Sequence, residues 1–163
     1  MRTLLGAALA LLIVGCNGAG GDASTVPVTP IDPASVSRTG RPNDYLVCPP
    51  DLCAAAPDRA SPTYRVPADR LVEAWNAVVA AAPRTRLVAA DPPGRLYAFE
   101  QRSAVLGFRD TIAVRFIPLA ADRSTLAVYS RSEVGYWDLG VNRRRVDEWL
   151  AALGAAVPAD PSP

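Results

Sequence analysis

Few residue types able to perform catalysis are present in this chain of 163 residues. It contains no His, and all 17 of its basic residues are Arg, so Lys is absent as well. These absences exclude Ser-His-Asp triads, HExxH zinc sites, P-loop lysines and Schiff-base lysines. Ser, Asp, Glu, Tyr, Arg and three Cys remain for chemistry. The formal charge of +1 gives no electrostatic basis for binding nucleic acid.

Cys16 ends an amino-terminal sequence that is typical of secretion signals. Arg2 precedes the apolar run 4–14, which is shorter than a membrane span. The tetrapeptide Ile13-Val14-Gly15-Cys16 resembles a bacterial lipobox, in which the Cys becomes the lipidated first residue. An ordinary signal peptide with an incidental Cys is the alternative. We therefore expect a signal peptide over 1–15 and an acyl anchor, such as palmitate, on Cys16.

The expected location is the bacterial cell envelope, with the chain attached to a membrane through this anchor and facing the periplasm. Asn17 follows the Cys where inner-membrane proteins often carry Asp, and this favours the outer membrane. Because that compartment is oxidising, Cys48 and Cys53 are able to pair. The C-x4-C spacing without further thiols or His argues against a metal site, and it differs from the C-x-x-C of redox motifs. We expect a structural disulfide, with no metal and no cofactor.

Composition divides the remaining chain into a tether, one domain and a tail. Residues 16–43 are mostly small or polar and are predicted to form a flexible tether behind the lipidated Cys. Residues 44–154 carry the apolar periodicity of a single domain, with Trp75 and Trp149 as expected core anchors. Residues 155–163 are predicted to be a disordered tail.

The periodicity of the domain alternates between strand and helix. A short strand is predicted over 61–66, a helix over 68–82 after Pro67, and a second helix over 142–153 that ends at Gly154. Between the helices are four predicted strands, at 86–91, 95–102, 110–117 and 124–132. Short connections favour antiparallel pairing, so we expect an α+β domain with four to five antiparallel strands and two helices. This arrangement loosely resembles helix-grip folds, which makes a lipid-binding carrier an alternative function.

The segment between the last strand and the last helix is the leading candidate for a binding site. Cations in the first turn of a helix oppose its dipole by about 0.3–1 kcal/mol each, and here three Arg are consecutive. They are balanced either by local partners or by an anion at the helix N-terminus. The local partners would be Asp147 for Arg143, Glu148 for Arg144 and Trp149 for Arg145. In addition, Asp138 or Asn142 is expected to cap the helix.

Exposed aromatic residues beside Arg suit an anionic ligand, such as a lipid headgroup, or an envelope protein as partner. The candidate binding residues are Tyr136, Trp137, Asp138, Asn142, Arg143 and Arg145.

Catalysis by Ser and carboxylate side chains on an envelope substrate is the second hypothesis. Glu100 or Asp110 would be the base and Ser103 the nucleophile. Such chemistry requires a carboxylate with a perturbed pKa in a cleft. We expect the polar residues of the strands, including Arg115 and Arg131, to form the solvated face of an antiparallel sheet. The alternative is that they line a concave pocket with Tyr129.

A longer pattern resembles a known family. The string Ser130-x-Ser132-x-Val134-Gly135-x-x-Asp138-x-Gly140-x-Asn142-Arg143-x-Arg145 resembles the C-terminal signature of the bacterial family called domain of unknown function 1499 (DUF1499). The block Arg102-Ser103-x-x-x-Gly107-Phe108-x-Asp110 and the early Cys pair resemble the family's other landmarks. Together these matches span roughly residues 41–153.

The resemblance implies one fold-sized unit and an envelope habitat, and it supplies no activity. This sequence has Tyr129 and Glu133 where the family often has Arg, and Asp110-Thr111 where it has paired acids. We therefore predict an envelope lipoprotein with one non-catalytic domain that binds a ligand or a partner.

Overall fold

A five-stranded antiparallel sheet and two helices form the part of the chain described by a computed structural model, residues 30–160. The elements are β1 (Asp44–Val47), α1 (Ala68–Ala80), β2 (Thr85–Asp91), β3 (Leu96–Arg102), β4 (Arg109–Ala120), β5 (Arg123–Ser132) and α2 (Val141–Ala156). Single turns of 3-10 helix at Pro33–Ser35 and Pro50–Leu52 flank β1. The predicted α+β class and the order of strand, helix, four strands and helix are confirmed.

The strands are arranged in the order β1-β5-β4-β3-β2, and every neighbouring pair is antiparallel. The register aligns Asp44 with Arg131, Asp110 with Ser132, and Arg102 with Arg109. The start of β1 and the end of β5 therefore lie at the same end of the sheet as the β3–β4 connection. We call this the loop end, because residues 103–108 and 133–140 both emerge there.

Both helices pack on one face of the sheet, against alternating apolar residues of the strands. Ile112, Val114 and Phe116 are almost fully buried on this face, as their alternation predicts. The Trp75 ring lies edge-on to Trp149 with 5.7 Å between centroids, and edge-on to Phe116 at 6.2 Å. These rings fill the space between the helices and the sheet.

The opposite face of the sheet is partly covered as well. Val36 packs there in a cluster that includes Leu46 and Tyr129. Asp32 forms an ion pair with Arg115 of β4, and the amide of Ala54 donates to the carbonyl of Ala34 at 2.8 Å. The predicted tether over 16–43 is therefore wrong for residues 30–43, because they bury apolar side chains on the sheet. Residues 16–29 lie outside the described part of the chain.

The first predicted strand lies elsewhere in the chain. Residues 61–66 form only isolated bridges, in which Tyr64 pairs with Ser124 and Ala159. Pro62 and Pro67 lack the amide donors that a continuous strand would use. The edge strand β1 takes that place in the order of elements.

The predicted disordered tail is wrong for residues 155–160. Helix α2 continues through Gly154 to Ala156. The amide of Arg65 then donates to the carbonyl of Pro158, and the amide of Asp160 to that of Thr63, both at 2.8 Å. Residues 161–163 lie outside the described chain.

Cys48 and Cys53 form the predicted disulfide, with their Cα atoms 6.4 Å apart. The predicted signal peptide and Cys16 precede the described residues. No helix within 30–160 has the length and apolar character needed to cross a bilayer.

Candidate functional site

The arginines that open α2 divide into buried and exposed side chains. Arg145 is buried, whereas the side chain of Arg143 is 72% exposed. Arg143 lies 3.6 Å from Asp147, so the predicted local pair forms. Arg145 is held by polar side chains of the sheet and helix rather than by stacking on Trp149.

All three guanidinium nitrogens of Arg145 are used. Nε donates to Oε1 of Gln101 at 2.5 Å, and Nη1 donates to Oγ of Ser130 at 2.9 Å and to Oδ1 of Asn142 at 2.7 Å. Nη2 forms a charge-assisted hydrogen bond with the carboxylate of Asp110. This arginine therefore pins the first turn of α2 to strands β3, β4 and β5.

Asn142 extends the same network toward the loop. Its Nδ2 donates to the carbonyl of Asn43 at 3.0 Å, to Oγ of Ser132 at 3.1 Å and to Oδ2 of Asp138 at 2.7 Å. Asn43 in turn donates to the carbonyl of Gly135 at 2.8 Å. Buried amide groups with all donors satisfied fix a unique geometry. The underside of the loop is thus bound to the domain.

The carboxylate of Asp138 accepts backbone amides at the N-terminus of α2. Its Oδ1 accepts the amide of Gly140 at 2.9 Å, and its Oδ2 accepts the amide of Asn142 at 2.8 Å. Its negative charge beside the helix N-terminus is favourable to the dipole. The N-cap residue itself is Gly140, and Asp138, two residues before it, supplies the carboxylate that accepts these amides, while the side chain of Asn142 belongs to the buried network.

The family signature between Ser130 and Arg145 corresponds to the buried hydrogen-bond network and the loop that it holds. Five of its residues belong to this one network: Ser130, Ser132, Asp138, Asn142 and Arg145. Gly135 and Gly140 have φ of +97° and +75°, a backbone conformation that favours glycine. The signature therefore specifies how the loop 133–140 is shaped and attached.

We call residues 133–140 the aromatic loop. Its outer side carries exposed apolar side chains. Tyr136 is 69% exposed and Trp137 is 64% exposed. Val134 and Leu139 are also more than half exposed. The predicted binding residues thus separate into a buried pair, Asn142 and Arg145, and an exposed set that contains both aromatic residues and Arg143.

A surface cleft of about 430 Å³ borders Trp137. Arg38 lines it and contacts two carboxylates, Asp44 at 2.5 Å and Asp58 at 2.9 Å. Arg143 also lines it and faces Asp147. The cations of this cleft therefore already have carboxylate partners, which makes it a poor match to the anion site considered from the sequence.

The residues of the catalytic hypothesis are engaged in structural contacts. Glu100 accepts hydrogen bonds from Arg102 at 3.0 Å and Arg86 at 3.2 Å. Its burial acts to raise the pKa of Glu100, but these two arginines outweigh that effect and the pKa lies below its usual value. Asp110 is bound by Arg145, and Oγ of Ser103 accepts the amide of Phe108 at 3.0 Å. A general base is most effective when its pKa lies near the working pH, so the lowered pKa of Glu100 does not favour it in that role.

Sequence reasoning missed one apolar segment and two members of the network. Residues 104–108 expose large apolar side chains in the β3–β4 connection, and the run Ala-Val-Leu between charged strand ends was the available signal. Asn43 and Gln101 complete the network from distant parts of the chain, and no local pattern indicates them.

Comparison with known proteins gives a family and two remote structural similarities. A family model described as "Protein of unknown function (DUF1499)" matches residues 25–153. No curated protein matches the chain.

Two solved aromatase/cyclase structures are similar at 19% identity and a TM-score of 0.41. One is the di-domain ARO/CYC BexL from the BE-7585A biosynthetic pathway, where the match covers 56% of this chain and 42% of that one. The other is the Zhui aromatase/cyclase from Streptomyces sp. R1128, where it covers 59% and 90%. This chain thus spans less than half of the BexL chain.

Proposed function

The chain belongs to the DUF1499 family of proteins of unknown function, and we propose that it is a non-catalytic binding protein of the bacterial envelope. In this proposal a lipid on Cys16 attaches the chain to a membrane, and the aromatic loop contacts the partner. The lipobox-like sequence Ile13-Val14-Gly15-Cys16 supports the anchor.

The contrast between the two sides of the aromatic loop carries this proposal. Asn142, Asp138 and Asn43 hold the underside through buried hydrogen bonds, while Tyr136 and Trp137 are about two-thirds exposed on the other side. Exposed clusters of large apolar residues commonly mark interaction sites. A loop held in one conformation loses little entropy when it binds.

The interior of the domain gives no support to a carrier that encloses its ligand. Trp75, Phe116 and Trp149 occupy the space between the helices and the sheet. A lipid carrier needs an apolar cavity of several hundred Å³ at such a place. The binding surface in our proposal is therefore external.

Site-specific photo-crosslinking in the native bacterium tests the proposal. A photoreactive amino acid replaces Tyr136 in the full-length chain, and a matched chain carries it at Leu119. Leu119 is 50% exposed and lies near the β4–β5 turn, at the opposite end of the sheet. We expect adducts from position 136 and few from position 119.

Equal adduct yields at the two positions would contradict the proposed binding surface. The anchor is tested separately by metabolic labelling with an alkynyl fatty acid. We expect label on the wild-type chain and none on the Cys16→Ser variant; equal labelling would remove Cys16 as the attachment site.

A further inference from the structure

Two apolar loops emerge side by side at the loop end of the sheet. From their arrangement we infer that this end docks onto a lipid bilayer, with the tips of residues 103–108 and the aromatic loop entering the headgroup region. The inference rests on the proposed function, because it names the bilayer as the partner of the aromatic loop.

The strand register places the two loops next to each other. Residues 103–108 connect β3 to β4, and the aromatic loop follows β5, the other neighbour of β4. The amide of Glu133 donates to the carbonyl of Arg109 at 3.1 Å, and Oγ1 of Thr111 donates to Oε1 of Glu133 at 2.6 Å. The bases of both loops are thus joined through the first residues of β4.

Together the two loops carry more than half of the exposed large hydrophobic residues of the described chain. Val105 is 90% exposed, Leu106 is 67% exposed and Phe108 is 46% exposed. With four residues of the aromatic loop, they make seven of the twelve exposed large hydrophobic residues within 30–160. The segment 103–108 contains no charged residue. Such a concentration at one end of a domain is unusual for a surface that faces only water.

Positive charge surrounds these apolar tips. Several strands and helix α2 begin or end at the loop end. The residues up to three positions from these termini include eight arginines and five carboxylates. Arg102 and Arg109 flank the 103–108 segment, and their side chains are 51% and 61% exposed. Together with Arg86 they share the single carboxylate of Glu100, so positive charge remains in excess there. Apolar and aromatic tips with a basic rim match the interfacial region of an anionic bilayer, which attracts cations and accommodates Trp and Tyr.

The proposed anchor is able to reach such a bilayer. Asp32 is paired with Arg115, which lies six residues along β4 from Arg109, or about 20 Å from the loop end. The 15 residues from Cys16 to Pro30 span at most about 50 Å when extended. A lipid on Cys16 and the loop end are therefore able to contact one membrane together. This proximity favours a bilayer over a protein as the occupant.

Trp137 provides a specific reporter of docking, because Trp75 and Trp149 are buried in the core. The lipidated full-length chain is reconstituted on vesicles of phosphatidylglycerol and phosphatidylcholine, with or without bromine on the acyl chains. We expect brominated lipid to quench the emission of the wild-type chain and to have little effect on the Trp137→Phe variant. High salt should weaken the quenching, because it screens the arginines.

Variants of the second loop test whether both loops insert. Replacing Val105 and Leu106 by Ser should lower the docked-to-undocked ratio roughly tenfold for each side chain lost. Leu119→Ser, which removes a half-exposed apolar side chain near the opposite end, should leave the quenching unchanged. Equal quenching in the two variants would show that residues 103–108 do not insert.

The outcomes separate this inference from the proposed function. Vesicles that carry the wild-type chain without quenching its Trp emission would overturn the bilayer contact, and protein adducts at position 136 would then leave the proposed function standing. Quenching and flotation that persist in Cys16→Ser would support docking by the loops themselves, and the fatty-acid labelling decides separately whether Cys16 carries a lipid. A wild-type chain that neither floats with the vesicles nor shows quenching would overturn both the bilayer contact and the lipid anchor.

Discussion

Arg145 of α2 and Asp110 of β4 form an ion pair in which both side chains are less than one tenth exposed. Each charge lacks access to bulk water and depends on its partner and on the amide and hydroxyl groups around it. Removal of one member of such a pair leaves an uncompensated buried charge, which typically costs about 3–5 kcal/mol.

We therefore predict that Arg145→Ala lowers the free energy of unfolding by about 3–5 kcal/mol. Arg143→Ala, the matched control in the same helical turn, should change it by less than about 0.5 kcal/mol, because its side chain is 72% exposed. Urea denaturation followed by circular dichroism measures both. Similar losses in the two variants would contradict the division of this cluster into structural and surface arginines.

The attachment of the aromatic loop is tested through its cap. Asp138→Ala removes acceptors for the amides of Gly140 and Asn142 and should destabilise the domain by about 1–2 kcal/mol. It should also speed amide hydrogen exchange in residues 133–140. Tyr136→Ala, which removes an exposed side chain of the same loop, should do neither. Unchanged exchange in Asp138→Ala would show that the cap does not hold the loop.

The disulfide is predicted to stabilise the packing of residues 30–43 on the sheet face opposite the helices. Closing the short loop between Cys48 and Cys53 contributes about 2 kcal/mol by chain entropy. The double variant Cys48→Ala and Cys53→Ala should lose about that amount. Hydrogen exchange should increase at Ala54, whose amide donates to the carbonyl of Ala34. A reducing agent should lower the melting temperature of the wild-type chain and leave that of the double variant unchanged.

Tyr64 is predicted to make the domain sensitive to alkali. Burial raises the pKa of Tyr64 to about 12, and its hydroxyl has no hydrogen-bond partner within the described chain. Between pH 10 and 12 the unfolded tyrosine loses its proton while the folded one keeps it. Stability from this group is therefore complete below pH 10 and falls as the pH rises, by about 1.4 kcal/mol per pH unit.

The Tyr64→Phe variant should lose this part of the pH dependence and be as stable as the wild type, or more stable, at pH 7. Tyr129, whose pKa is also raised to about 12 by burial and by its hydrogen bond to Asp44, should maintain its own dependence. Urea denaturation at pH 9 and pH 11 distinguishes the variants. If the free energy of unfolding fell equally between pH 9 and pH 11 in the wild type and in Tyr64→Phe, the alkaline sensitivity would not come from Tyr64.

The local patterns of the sequence were sufficient for the sheet's main strands and both helices. The period of two at Ile112, Val114 and Phe116 places a strand with one buried face, and the structure has it there. Strand β1 was missed because its pairing depends on β5, which lies more than 80 residues later in the chain. Its residues also stand beside the Cys48–Cys53 pair, whose prolines indicate an irregular loop.

The burial of Asn142 and Arg145 did have a signal in the sequence. The buried residues of α2 are Asn142, Arg145, Val146, Trp149, Leu150 and Leu153, which is a single stripe at steps of three and one. Only the apolar members of that stripe were assigned to the core. The partner of Asn142 could not be foreseen, since Asn43 is 99 residues away and binds it through a backbone carbonyl.

The amino-terminal cover of the sheet gives the domain a mechanical property. If a lipid on Cys16 holds the chain, any pull between membrane and domain is applied first to residues 30–36. These residues are attached by separate contacts, such as the Asp32–Arg115 pair and the Ala34–Ala54 hydrogen bond. Release of residues 30–43 would lengthen the connection between the lipid and the sheet by up to about 50 Å before the tension reached β1. Tension on the chain would thus reach the sheet only after residues 30–43 had been released from it.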